Sequence, residues 1–310
     1  MLLFKNPEDQ VVAEGTTNSK LRHLNIPNLL IFTANVVCLL MALEWGGTTY
    51  SWNSGRIVAI LVFSGGLLAG FVGLEAAQKD LATIPTSIVL NKTAGLCLLY
   101  AFCASAAFNV VDCFMLLPSI VSLSAASFSS GFIVSAIGHY TPHMLVGSIL
   151  MGIGVGLLTT LAPTSGPAAW IGWQVIFGLG MGLAIPQPWS AIQTALAAEE
   201  VPLGMSAVSF AISISAALST SVSQNVLTNL PRQGLRDVPG VDVDALIDQG
   251  ATELLKGVPD SEKAHVLDVY NFALTSTFWV CVVVVALGML DALCMDWNSV
   301  KSDKAEIHGV

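Results

Sequence analysis

Between Ala168 and Leu196 the chain runs for 29 residues without a charged side chain. A helix of that length, rising about 1.5 Å per residue, exceeds the ~30 Å hydrocarbon core of a bilayer. Glycines recur along it at 172, 178, 180 and 182, and amides stand at Gln174, Gln187 and Gln193. A water-soluble helix has no use for that composition. A helix that crosses lipid, packs closely on its neighbours and faces a polar cavity does.

The rest of the chain repeats the theme. Uncharged runs of about 18 residues or more predict eight spans: Leu29–Gly46, Ile57–Leu74, Ala94–Val111, Leu116–Ile137, Met144–Ala162, Ala168–Leu196, Leu203–Leu227 and Phe272–Met295, the last with one acid, Asp291. A lipid-exposed backbone must satisfy its own hydrogen bonds, so each run is expected to be helical. The expected fold class is all-α, a polytopic membrane protein with about eight transmembrane helices. No β-pattern, heptad run or low-complexity segment competes.

Composition agrees. Of 310 residues, 54% are hydrophobic and 11% charged, where soluble domains carry about 25% charged residues. Mean hydropathy is +0.73. A net charge of −9 leaves no basic stripe to neutralise phosphates, which argues against nucleic acid. The six cysteines, at 38, 97, 103, 113, 281 and 294, lie in or beside apolar runs without C-x-x-C spacing. They read as small apolar residues rather than disulfides or metal ligands. Met1–Phe4 is too short for a signal-peptide core, so the start reads as a cytoplasmic lead-in.

Connections are mostly short. Thr48–Gly55 is a polar turn with Tyr50 and Trp52, suited to a membrane interface. The segment 75–93 carries Lys79 and Lys92; 138–143 and 163–167 are tight Gly/Pro turns; 198–202 holds Glu199 and Glu200. Only 231–266 is long, acidic and expected to be helical near 243–256, before Pro259, Asp260 and Ser261 open the last helix. The expected organisation is a cytoplasmic segment 1–27, two central helices within 28–93, a six-helix half 94–296 with an external loop 231–266, and a cytoplasmic tail 297–310. With the N-terminus inside, Lys5, Lys20, Arg22, Lys79, Lys92, Lys301 and Lys304 are cytoplasmic and the short external loops hold only Arg56. Eight spans return the C-terminus to the same side, consistent with the positive-inside rule.

Several residues invite a role. Small residues four apart (Ser148, Gly152 and Gly156; Gly178 and Gly182; Gly66 and Gly70) place a groove on one helix face, either a sliding surface or plain close packing. The seventh span has hydroxyl faces at Ser209, Ser213 and Ser221 and at Ser215, Ser219 and Ser223, which either bond their own backbone or line a polar path. Amides in lipid are costly unless paired or wet, which singles out Asn109, Gln174, Gln187, Gln193, Gln224 and Asn225 as substrate-path candidates. Gln187 stands between Pro186 and Pro188, where prolines free backbone carbonyls; it faces substrate or makes a structural bond. Glu44, Asp112 and Asp291 are acids at span ends, near hydration, and proton-coupling candidates. His139 and His143 flank a turn and are expected at the surface. No nucleotide loop, metal spacing or nucleophile motif appears; the glycines at 178, 180 and 182 sit mid-span with no strand before them. No cofactor and no enzyme chemistry are expected.

Together, certain motifs resemble a known family. They are Leu-Glu-Trp-Gly-Gly at 43–47, Tyr-Ser-Trp-Asn-Ser at 50–54, Gly-His-Tyr-Thr-Pro at 138–142 and the run 172–182. Gln187 with Pro188 and Gly138 join them, as do Gln193 with Thr194, Val201–Gly204, Ser223–Val226, 248–256, Tyr270 with Asn271, and Trp297–Lys301. The set is similar to the fungal 14-spanning drug:proton antiporters of the major facilitator superfamily, from about residue 25 onward. The resemblance implies export of small hydrophobic compounds, coupled to protons, in a plasma or vacuolar membrane of a filamentous fungus. It implies that only the last eight spans are present, so that an N-terminal six-helix half would be missing. It also implies that about 20 residues of an external stretch are absent near Asp112–Met115 and that the usual basic residue before Gly138 is replaced by Ser135, Ala136 and Ile137. Two readings follow: an exporter, pairing if need be with another transporter half, or a non-transporting membrane remnant or interaction subunit.

Overall fold

The computed structural model describes residues 26–47, 49–77, 91–112, 117–236, 258 and 262–297. The N-terminal lead-in, Lys79, Cys113–Met115, the 243–256 segment, Lys301 and Lys304 lie outside the described residues. The helices are α1 (Ile26–Trp45), α2 (Gly55–Ala77), α3 (Lys92–Asp112), α4 (Leu117–Ile137), α5 (Thr141–Leu158), α6 (Pro167–Ala184), α7 (Gln187–Ala195), α8 (Val201–Gly234) and α9 (Lys263–Cys294). They supply eight spans long and apolar enough to cross a membrane, with α6 and α7 together making one. No strand occurs among the described residues; Gly46 and Tyr50 form an isolated bridge.

Two helices outrun their apolar stretches. α8 continues through Pro231 to Gly234, and α9 begins at Lys263, nine residues before Phe272. At 34 and 32 residues both exceed the hydrocarbon thickness, so their polar ends extend beyond it. Hydropathy marks only the part in lipid, not the helix.

α3 is the centre. It is built of Ala, Cys, Ser and Val, with Tyr100 the one large side chain buried on it, so neighbours approach it from several sides. Side chains on neighbouring helices bond its carbonyls directly. Ser215 on α8 donates to Phe102 O, and the Cys281 thiol on α9 donates to Ala107 O at 3.5 Å. In return Ser105 donates to Ile212 O on α8 at 3.1 Å. Tyr100 donates to Met144 O on α5 at 3.0 Å.

α6 lies between α4 and α5, and its glycines divide the work. A methyl group on Gly178 or Gly182 would collide with the α4 backbone at Ser119 or Leu123. A methyl group on Gly180 would lie 2.5 Å from Met151 N on α5. On α5, Gly147 and Gly154 meet α6 just as closely. Gly152 is looser, 3.7 Å from Val285, and Gly66, Gly70 and Gly156 meet nothing within 4 Å. Spacing alone names a face, not what lies against it.

The α1–α2 hairpin joins the bundle through α1 and α8. Its turn needs Gly47, held at φ 78°, where a side chain would also strike Asn229 and Trp52. Gly138, at φ 80°, ends α4 with its N–H on Val134 O at 2.7 Å. Large apolar side chains such as Val62, Leu117, Phe128 and Phe132 face outward, as lipid rather than water allows.

Candidate functional site

The most distinctive local structure is the break between α6 and α7. Pro186 has no N–H, so the Gly182 carbonyl loses its helical partner. Ser127 on α4 donates to that carbonyl at 3.2 Å. The Gln187 amide then bridges the break, donating to Leu183 O at 2.8 Å and to Ser130 Oγ on α4 at 2.8 Å. Pro188 follows at the start of α7, where a missing N–H is tolerated. Further along the same seam, Ser119 donates to Gln174 Oε1 at 3.4 Å.

Both amides are shut away from solvent, Gln174 at 0% and Gln187 at 1% exposure. Each keeps one polar atom without a partner among the described residues: Gln174 Nε2 and Gln187 Oε1. Nearly all buried polar groups find a partner, so two unmatched amide atoms along one seam are notable. The seam therefore has a spare donor and a spare acceptor.

The other candidates do not converge here. Asn109 bonds back within its own helix, to Ser105 O at 2.8 Å. Gln193 and Gln224 are exposed on the outside of α7 and α8. Asn225 serves the hairpin, donating to Leu43 O at 2.9 Å and to Gly46 O. Ser206, Ser209 and Ser213 bond back to their own helix, whereas Ser215 crosses to α3.

The acids separate as well. Glu44 is exposed and Asp112 half-buried, with its Oδ1 unpartnered among the described residues. Asp291 corrects the expectation of easy hydration: it is 5% exposed, and neither carboxylate oxygen has a partner among the described residues. It lies on the α9 face toward α3, within electrostatic reach of Tyr100 and Cys97. The reason is that this face of α9 packs against α3, which shuts the carboxyl inside the bundle although it lies only one turn from the helix end. His143 also departs from expectation. It is 7% exposed, with Nδ1 unpartnered among the described residues, because the start of α5 tucks under the end of α9. Tyr140 and Thr141 hydroxyls donate to Asp296 O there, at 3.2 and 3.3 Å.

That corner holds a feature which sequence reading missed. Asp296 receives Lys92 Nζ at 3.0 Å and Thr93 Oγ1 at 3.0 Å, latching α3, α5 and the end of α9 together. Asn91 caps α3 through Ala94 N at 3.2 Å and reaches Ala195 O at the end of α7 at 3.1 Å. The hydrogen bond from Lys92, then that from Thr93, holds the exposed Asp296 carboxyl below the usual carboxylate range. Opposite charges at the same-side ends of the third and eighth spans were the available signal. The five cysteines described carry free thiols, and among the described residues no three metal-ligating side chains converge.

No known family model matches the chain. Individual proteins do. It is 34% identical over 97% of its length to the MFS-type transporter astH of Aspergillus oryzae. It is 33% identical over 98% to the efflux pump roqT of Penicillium rubens, and 35% identical over 99% to the aspyridones efflux protein of Neocamarosporium betae. The chain spans 57%, 60% and 58% of those relatives' own lengths.

Proposed function

Because the chain belongs with the fungal MFS-type transporters and efflux pumps, we propose that it forms part of a membrane exporter of small hydrophobic compounds, drugs or secondary-metabolite toxins. The observation that carries the reading is the broken α6–α7 span with its unmatched amides. Irregular backbone at membrane depth is tolerated where it lines protein or a cavity. Transporters place substrate beside such interrupted helices, between two rigid halves that rock around a midplane site. Here α3 to α9 would supply one wall. The opposite wall would come from further spans, in the same protein or another chain.

Within that wall, Gln174 and Gln187 are the substrate contacts, and Asn109, exposed Gln193 and Gln224, and Asn225 are secondary positions. Gly178, Gly182, Pro186 and Pro188 set the close contact and the hinge between α4 and α6. The driving ion is a proton, carried by Asp291 as the most secluded span acid. The membrane is the plasma membrane, with the vacuolar membrane the other location a tagged chain would reveal.

The test is accumulation of a broad panel of hydrophobic compounds in a pump-deficient yeast. Cells express this chain alone, or together with the portion of the astH transporter that the chain does not match. Lower accumulation in the paired strain, abolished by a protonophore and by Gln187→Leu, is expected. Equal accumulation across the panel in every strain overturns the reading and leaves a non-transporting membrane chain or interaction subunit.

A further inference from the structure

Away from the α4–α6 seam, the α1–α2 hairpin does not close fully on α8. Leu29, Phe32, Phe71, Leu203, Ala207 and Phe210 line a cavity of about 350 Å³ between them. A second cavity of about 260 Å³ shares Leu29, Phe32 and Phe210 and continues along the α1–α8 seam past Val36 to Ile214. The volume is that of a drug-sized pocket. Its position is defined by the helix ends: Leu29 lies near the start of α1 and Leu203 in the first turn of α8. Both belong to the membrane side that the basic residues assign to the cytoplasm.

The lining has one chemistry. The hydroxyl protons of Thr33, Ser206 and Ser213 are already given to their own helices at 2.8, 2.9 and 2.9 Å, on Leu29 O, Pro202 O and Ser209 O. What remains is apolar surface and three rings. Phe32 stands between the other two, with centroids 5.0 Å from Phe71 and 4.9 Å from Phe210, tilted 58° and 51°. Tilted ring clusters favour another aromatic ring through their quadrupoles, beyond what area alone gives a saturated acyl chain.

We infer that this groove is a membrane-side binding site for aromatic hydrophobic compounds, taken up laterally from one leaflet through the gap between α1, α2 and α8. The identity of its natural occupant as an exported compound rests on the export reading; the groove itself does not. It gives the α1–α2 hairpin a task that the six remaining spans cannot perform, since two of the three rings stand on the hairpin.

The test uses the purified 310-residue chain in phosphatidylcholine nanodiscs. Benzophenone is the photoprobe, and a phosphatidylcholine with a photoactivatable acyl chain is the comparator. Saturable benzophenone labelling of peptides containing Phe32 and Phe210 is expected. Phe32→Leu and Phe210→Leu keep the apolar bulk but lose a ring, and each is expected to weaken labelling about fivefold. Phe128→Leu, on the outward face of α4, leaves it unchanged. Phe32→Tyr keeps the ring and retains labelling, which separates ring loss from misfolding. The inference is overturned if labelling does not saturate, if Leu and Tyr variants lose it equally, or if the acyl probe occupies the groove as readily as benzophenone. Saturable binding without export removes the export reading and leaves the groove; export without such binding does the reverse.

Discussion

Gly154→Ala and Gly156→Ala add the same methyl group to α5 two residues apart, yet the structure sets them at opposite signs. At Gly154 the new carbon would stand 2.6 Å from Phe177 N and 2.7 Å from Phe177 Cα and Cβ on α6. Those are mostly backbone atoms, which no rotamer change moves aside. Ordinary contact requires nearly 1 Å more, so α5 and α6 must separate over the turns where Gly147 and Gly180 also touch. Overpacking of this kind costs about 1–3 kcal/mol. At Gly156 the carbon meets nothing within 4 Å. There Ala should be neutral or stabilising by up to ~1 kcal/mol, because it narrows the unfolded chain's freedom. The expected gap between the two variants is about 2–3 kcal/mol, enough to shift the folding equilibrium at least 20-fold. Reversible unfolding in mixed micelles, titrated with sodium dodecyl sulfate and followed by tryptophan fluorescence, reads it as a midpoint difference. A Gly154→Ala protein that unfolds at or beyond the Gly156→Ala midpoint would refute the close α5–α6 contact.

Three further predictions use the same fold. Ser127→Ala leaves the Gly182 carbonyl without its donor and should cost about 1 kcal/mol in that titration, whereas Ser129→Ala, whose hydroxyl bonds only its own helix, should cost little. Asn225→Leu removes the two bonds that hold the outer end of α1, and proteolysis at the 49–55 turn should accelerate about tenfold with no change in the rate at other sites. The Asp296 carboxyl is held below its ordinary range when folded, so its contribution is present above about pH 4 and fades as the pH falls through the lowered folded value. The midpoint difference between the parent chain and Lys92→Gln should therefore shrink as the pH falls below about 4; a difference that stays constant on acidification would sink the latch.

How far the sequence could be read follows from what lipid demands. Eight apolar runs had to be helices, because no other open-chain structure satisfies its backbone in hydrocarbon. The Pro186 break was visible because the missing N–H is written into the residue. What could not be read was partnership across the bundle. Gly156 and Gly154 look alike in sequence, and only the position of α6 tells them apart. Asn225 and Gln187 are both amides in spans, yet one holds a neighbouring turn and the other bridges a helix break. Asp291 stood near the end of an apolar run and so suggested an interface, but its face of α9 turns inward toward α3. Asp296 became important only when Lys92, some two hundred residues away in sequence, arrived beside it.

The bonding of the two buried amides also restricts what they can recognise. Gln187 gives its Nε2 protons to Ser130 and Leu183, so only its Oε1, an acceptor, is left over. Gln174 is the reverse: its Oε1 takes the Ser119 hydroxyl, and its Nε2, a donor, is left over. Under the export reading, a compound lodged along this seam would present a donor toward the Pro186 end and an acceptor toward the Gln174 end. Neither atom is reachable while α4 lies against α6. Access therefore requires α4 to move as a body. That motion opens the close α4–α6 contact at Gly178 and Gly182, while the outer face of α4, with Phe128 and Phe132, points away from the bundle. The same serines that satisfy the helix break would then be withdrawn together, and the compound's own polar groups would replace them. Recognition and helix movement would thus be one exchange of hydrogen bonds rather than two separate events.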